Sequence, residues 1–243
     1  MNTIRDPPAG ALLSGAADVG GWRHDGGIDA YPSTTFTAAD GWAHNCLFAV
    51  DYTLALAPGG ASADAVWVTA GDEYGACHGE PSWCGLHSWV GVSRDGGQTF
   101  ADTTWDSVYA VDQANPYRVL VHPYDGAKAV VVARKGLPVT YTRDAGKTWA
   151  NATTAGDSCG EQGNFWFGYP LAPERQIDPA AAEATFYYYN GTTTLFTSVD
   201  SGATWAPTYS GFPSWNTPMF GVATPPVGAA PAGDIWIFSG WKL

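Results

Sequence analysis

The sequence predicts an all-β fold, a partial β-propeller of about three to four four-stranded blades from a seven-bladed ring. Two observations carry this. The first is composition: 30 Gly, 17 Pro, 12 Trp and 12 Tyr among 243 residues favour strands joined by tight turns over helices. The second is an internal repeat at the spacing of one blade. With 45% hydrophobic and 14% charged residues, the chain has enough apolar material for a sizeable core and lacks the charge excess of a disordered protein. It reads as a single domain over residues 1–243, with no linker or second domain in view.

The repeat occupies residues 93–100 (SRDGGQTF), 142–149 (TRDAGKTW) and 198–205 (SVDSGATW), all fitting S/T-x-D-x-G-x-T-F/W. Counting between Asp95, Asp144 and Asp200 gives steps of 49 and 56 residues, as 144 − 95 and 200 − 144. A four-stranded propeller blade takes roughly 40–50 residues, longer with extended loops. Each position has a physical task. The carboxylate accepts hydrogen bonds from backbone N–H groups of its own turn, the glycine two residues on permits positive φ, and the closing aromatic packs between sheets. Asp95, Asp144 and Asp200 are therefore structural residues, their lone pairs spent on the turn rather than on chemistry.

Strand-like runs precede each turn: 66–69 and 89–92, then 129–132 and 139–141, then 186–189 and 195–197. The blade order reads as strand, strand, turn, short strand. A further run from Gly233 to Gly240 reads as the opening of an incomplete last blade. Residues 26–44 and 225–233 read as surface loops. Exposed sheet edges at the two ends of such an arc predict association.

The formal charge of −12, with 11 Lys and Arg spread over the chain, argues against nucleic acid, whose phosphates need clustered cations. A neutral polysaccharide fits better. No run approaches the roughly 18 apolar residues of a membrane span, so no membrane partner is expected. The opening residues lack the apolar core of a signal peptide, although the acidic, Trp-rich composition and the sequons at Asn151 and Asn190 are those of a secreted protein. Cys77 and Cys84 lie in an 11-residue stretch with His78 and His87. A local disulfide and a zinc site are both open for it, the disulfide being the expectation because the spacing is that of no familiar zinc finger. No metal is assigned. Cys46 and Cys159 either pair or stay free and buried.

Function is sought first at residues 12–25, an apolar strand leading into an acidic, glycine-hinged, aromatic loop. Asp18 beside Gly20 and Gly21, with Trp22 to stack on a sugar face, is what a glycosidase needs; a turn aspartate with a packing tryptophan would look the same. Trp42, His44 and Trp166 are further candidates for sugar contact, since aromatic faces stack on pyranose rings and exclude water.

Residues 14–25 (SGAADVGGWRHD) resemble the S-G-x-G-D-I-G-G-F-x-H-D segment that opens the second propeller of glycoside hydrolase family 74 xyloglucanases. Residues 50–52, 171–175 and 233–237 resemble the family's S-x-D-Y-A, A-S-D-R-V-N-P and G-D-V-W-L segments in the same order, and the repeated turns resemble the Asp boxes (BNR repeats) of many propellers. The resemblance implies a cofactor-independent, inverting hydrolysis of the β-1,4-glucan backbone of xyloglucan between two propellers. Asp18 is then one of two carboxylates, and Trp22, His24, Trp42, His44 and Trp166 are substrate contacts. One carboxyl protonates the leaving oxygen while the other activates water, about 6.5–9.5 Å away. The first propeller's D-I-G-G-A-Y-R-W segment has no counterpart here, so the second carboxylate would come from a preceding propeller domain. Loss of one such group costs about 10²–10⁴ in rate. Ala17 in place of Gly, Glu174 in place of Asp and an insertion over residues 71–89 depart from the family pattern. A non-catalytic Asp-box propeller that binds protein or glycan is the alternative. A sialidase, which needs a triad of arginines, ranks below both.

Overall fold

The computed structural model describes residues 3–5, 11–16, 20–27, 29–35, 55–56, 65–70, 89–105, 116–122, 125–133, 138–154, 171–173, 182–189, 194–211, 218–222 and 235–239. They form strands and turns, with no α-helix among the described residues.

The first sheet is β1 (Thr3–Arg5), β2 (Leu12–Ala16), β3 (Gly20–His24) and β4 (Thr34–Thr35), in that spatial order. The second is β5 (Ala55–Leu56), β6 (Val66–Ala70), β7 (Trp89–Ser93) and β8 (Ala101–Asp102). The third is β9 (Pro116–His122), β10 (Asp125–Ala133), β11 (Thr140–Thr142) and β12 (Ala150–Asn151). The fourth holds β14 (Leu171–Pro173), β15 (Phe186–Tyr189), β16 (Thr194–Ser198) and β17 (Thr204–Ser210), to whose outer edge β13 (Thr153–Thr154) adds in parallel. A two-stranded sheet, β18 (Pro218–Val222) with β19 (Ile235–Ser239), follows. Neighbours within each four-stranded meander are antiparallel, the arrangement of propeller blades.

Three expectations change in detail. A complete four-stranded sheet precedes the first repeated turn, where the sequence had suggested only a strand and a loop. Within it, residues 20–24 are strand, and the supposed loop 26–44 contains β4. The run near residue 233 is a second strand of its sheet, since β18 comes before it. Each repeated turn joins the third and fourth strands, because a first strand (β5, β9 or β14) went unrecognised in each blade.

Stacking of the sheets explains why their central strands read as unbroken apolar runs rather than as alternation. On β10, Ala129 and Val131 point into a core with Trp67, Val90, Val92 and Trp105 of the second sheet. Val130 and Val132 point the other way, into a core with Phe186, Tyr188, Phe196 and Trp205 of the fourth. The indoles are tied by polar bonds across the same interface: Trp67 Nε1 donates to Gly126 O and Trp105 Nε1 to Thr140 Oγ1, each at 3.0 Å. Trp67 meets Trp149 edge-on, with centroids 6.0 Å apart.

The turn glycines lie where adjacent sheets meet, with no room for a side chain. A Cβ on Gly97 would lie 2.9 Å from Leu13 Cδ2, one on Gly146 would meet Thr103 Cβ at 2.7 Å, and one on Gly202 would run into Val130. Their φ angles are +86°, +79° and +93°. Gly202→Ala adds overpacking to backbone strain and is expected to destabilise the fold by more than about 2 kcal/mol in urea titration. Gly211→Ala, at φ +105° but with nothing within 4 Å among the described residues, should cost only the strain of roughly 1–2 kcal/mol.

Candidate functional site

The three repeated turns share one hydrogen-bond pattern. Asp95 Oδ1 accepts from Ser93 Oγ at 2.7 Å, Gln98 N at 3.0 Å and Thr99 N at 2.9 Å, and Oδ2 accepts from Thr99 Oγ1 at 2.6 Å. Asp144 is held by Thr142 Oγ1 and Thr148 N, each at 2.9 Å, and by Thr148 Oγ1 at 2.7 Å. Asp200 is held by Ser198 Oγ at 2.8 Å, Thr204 N at 2.9 Å and Thr204 Oγ1 at 2.7 Å. The first residue of each turn also accepts the glycine N–H, from Gly97, Gly146 and Gly202, at 2.8–3.0 Å. Both oxygens of every carboxylate are thus occupied by donors of its own turn.

Burial alone would push the Asp144 carboxyl up, but bonds from the Thr148 hydroxyl, the Thr148 amide, Thr142 and the Lys147 amide outweigh it, and its pKa falls below 3.8. Asp95 and Asp200 move down for the same reasons. A carboxyl with a depressed folded pKa contributes stability that is complete above its unfolded value and is lost as pH falls through the folded one. Asp144→Asn is therefore expected to lower stability by about 1–3 kcal/mol at pH 7 and to narrow its gap from wild type as pH falls below about 4, as read by denaturant midpoints against pH. A gap that stayed constant over that range would mean that the carboxylate's charge is not what holds the turn.

The first sheet carries a relative of this turn that lacks the repeated pattern. Asp25 Oδ1 accepts from Arg23 Nε at 2.6 Å, its Oδ2 accepts from the Ser33 hydroxyl, and Gly27, two residues on, has φ +79°. Arg23 takes the place of Ser93, and Ser33 that of Thr99, over a longer connection. These two donors, with burial opposing, hold the Asp25 carboxyl below 3.8. Only the Asp-x-Gly spacing could have revealed it in the sequence, and the ten-residue gap from Arg23 to Ser33 hides the rest. Arg23 also donates through its NH1 to Gly96 O, tying the first sheet to the turn of the second.

Of the residues singled out for function, Trp22 and His24 are described. Both lie on β3, half-buried, on the face opposite Arg23. His24 Nε2 bonds Ser14 Oγ at 2.8 Å and its Nδ1 reaches Ala30 O at 3.4 Å, so its ring spans the β2–β3 hairpin and the loop after it. Asp18, Trp42, His44, Trp166, Cys77 and Cys84 lie outside the described residues. Strands β2 and β3 pair as far as Ala16 with Gly20, which places Asp18 in sequence between two paired strands. No cluster of His, Cys, Asp or Glu that could hold a metal occurs among the described residues.

Fold comparison places this architecture among β-propellers. No family model matches the sequence, and no curated protein matches it. Among solved structures, a GH74 enzyme from Niastella koreensis is similar over 98% of this chain and 35% of its own, with TM-score 0.59 and 16% identity. The GH74 xyloglucanase from Xanthomonas campestris is similar over 97% of this chain and 36% of its own, with TM-score 0.59 and 19% identity. A YCF48 protein bound to D1 peptide is similar over 94% of this chain and 57% of its own, with TM-score 0.52 and 13% identity. The chain spans little more than a third of the two GH74 enzymes. At these identities the likeness is one of fold.

Proposed function

We propose that this chain is a glycoside hydrolase-like Asp-box propeller that acts on or binds a β-1,4-glucan of the xyloglucan type, outside the cell, with Asp18 as one of two catalytic carboxylates. The observation that carries the reading is the segment from Ser14 to Asp25. Its sequence resembles that of the GH74 second propeller, and its flanks form a paired hairpin in a chain whose fold resembles GH74 enzymes. Support also comes by elimination. Asp95, Asp144 and Asp200 have both oxygens engaged by their own turns, and Asp25 is engaged by Arg23 and Ser33, so these four carboxylates are committed to holding turns. Asp18 supplies one half of an acid–base pair, and a facing propeller supplies the other. Trp22 gives the hairpin an aromatic surface, with Trp42, His44 and Trp166 as further sugar contacts.

His24 acts in this scheme by position. Bonded to Ser14 on the neighbouring strand, it braces the strands on either side of Asp18 as well as offering a sugar contact.

The test is affinity electrophoresis and reducing-sugar release on xyloglucan and carboxymethyl cellulose. Retardation by xyloglucan is expected, with hydrolysis that falls at least about 10²-fold in Asp18→Asn where a second carboxylate is supplied. A folded chain that neither binds nor cleaves either polymer would contradict the reading.

A further inference from the structure

Two acceptor sequons, Asn151-Ala152-Thr153 and Asn190-Gly191-Thr192, have no part in the turns or the site described above. The second lies outside the described residues. The first spans the passage from the third sheet to the fourth: Asn151 ends β12, and Thr153 opens β13. Ala152 between them packs inward beside Tyr141, against the core that the two sheets share. Its N–H donates to Val139 O at 2.7 Å, and the Thr153 N–H donates to Ala203 O at 2.9 Å, so backbone bonds to both sheets hold the tripeptide in place. Asn151 and Thr153 are both exposed.

That exposure follows from the build of a blade. The first strands β5, β9 and β14 lie side by side, which puts the fourth strands at the outer margin. Asp102 stands two residues beyond the closing Phe100 of its turn, as Asn151 stands two beyond Trp149, and it is exposed as well. The next residues, Thr103 and Ala152, are the half-buried ones, and Thr103 is the residue that meets the following turn at Gly146. Packing therefore constrains residue 152 and leaves residue 151 to solvent. Asparagine is depleted from strands, so strand propensity does not account for it at this position.

We infer that Asn151 is an N-glycosylation site, its side-chain amide being the acceptor and the Thr153 hydroxyl completing the signal that the transferase reads. The donor is an oligosaccharide carried on a lipid diphosphate. The amide nitrogen bonds to the anomeric carbon as the bond from that carbon to the diphosphate oxygen breaks; the amide gives up one proton and the lipid diphosphate leaves. A glycan here covers the outer edge of the third sheet, where no strand follows β12 among the described residues. It stands near the end of the sheets that carries the repeated turns, opposite the β2–β3 connection. The inference rests on the extracellular location proposed above and not on glucan recognition.

The test is site-resolved mass spectrometry of the full chain, directed into the secretory pathway of cultured insect cells by a cleavable leader and recovered from the lumen or the medium. Release by peptide N-glycosidase in heavy-oxygen water turns a glycosylated asparagine into a labelled aspartate. The label is expected at residue 151 in most chains. It should be lost in Asn151→Gln and in Thr153→Val, which keeps the branched shape without the hydroxyl, and kept in Thr153→Ser. Near-ultraviolet circular dichroism that is unchanged across these chains separates loss of the signal from loss of the fold. A lumenal chain without label at residue 151 would overturn the inference, as would a label that persists in Thr153→Val. Because the leader imposes export and no polysaccharide is present, either result counts against Asn151 alone and leaves the glucan reading standing.

Discussion

The bond between each turn aspartate and the amides three to four residues beyond it is what the architecture depends on. A turn with two successive residues at positive φ is costly for anything but glycine, and the second and third turns place Ala145 and Ser201 there, at φ 60° and 55°. The carboxylate offsets that cost by collecting amide and hydroxyl donors into one site, where charge-assisted bonds are roughly twice as strong as neutral ones. Once the turn is fixed, its glycine lies flat enough to be driven against the preceding sheet, and the interface between sheets forms around it. Each blade is thus completed partly by its neighbour, which is how a quasi-repetitive fold distributes its stability.

This dependence explains the chemistry that the repeats lack. An acid or base in catalysis needs a lone pair or proton aimed at a substrate, and both oxygens of each repeated aspartate are aimed at donors of its own turn. The inter-sheet ion group has a similar structural character: Arg143 and Lys128 of the third sheet converge on Glu183, between β14 and β15 of the fourth, and Arg143 reaches on to Asp200 O. The reactive group proposed for this chain, Asp18, falls in sequence between β2 and β3, the connection opposite the one that holds the Asp25 turn. A propeller separates in this way the loops that hold blades together from the loops free to vary.

The fold was legible in the sequence where local chemistry leaves a repeated mark. Ser93, Asp95, Gly97 and Thr99 each perform one task in one turn, so their spacing survives in three copies. Long two-sided strands such as Val130–Val132 announce themselves by unbroken apolar character. The innermost strands did not. Ala55–Leu56 is two residues and Leu171–Pro173 ends in proline, so both are stabilised by their neighbours rather than by propensity, whereas Pro116–His122 carries Tyr117, Val119 and Val121 behind an opening proline. The first sheet was hidden because Arg23 and Ser33 replace the hydroxyls of the pattern across a longer loop, so its turn is recognisable only in space. Trp22 stood out by residue type and His24 through the resemblance of its segment. Alternation along β3 was the signal that both share a sheet face, and Ser14, ten residues before His24 and bonded to it, has no signature in the sequence.

Amide hydrogen exchange followed by NMR at pH 7 tests the central claim most directly. The Thr99, Thr148 and Thr204 amides, which donate to the turn carboxylates on exposed loops, should exchange as slowly as those of the central strand β10, since opening a turn requires separating two sheets. Exchange of these amides at the rate of fraying edge strands, with β10 still protected, would show that the turns open by themselves and that the stack does not depend on them.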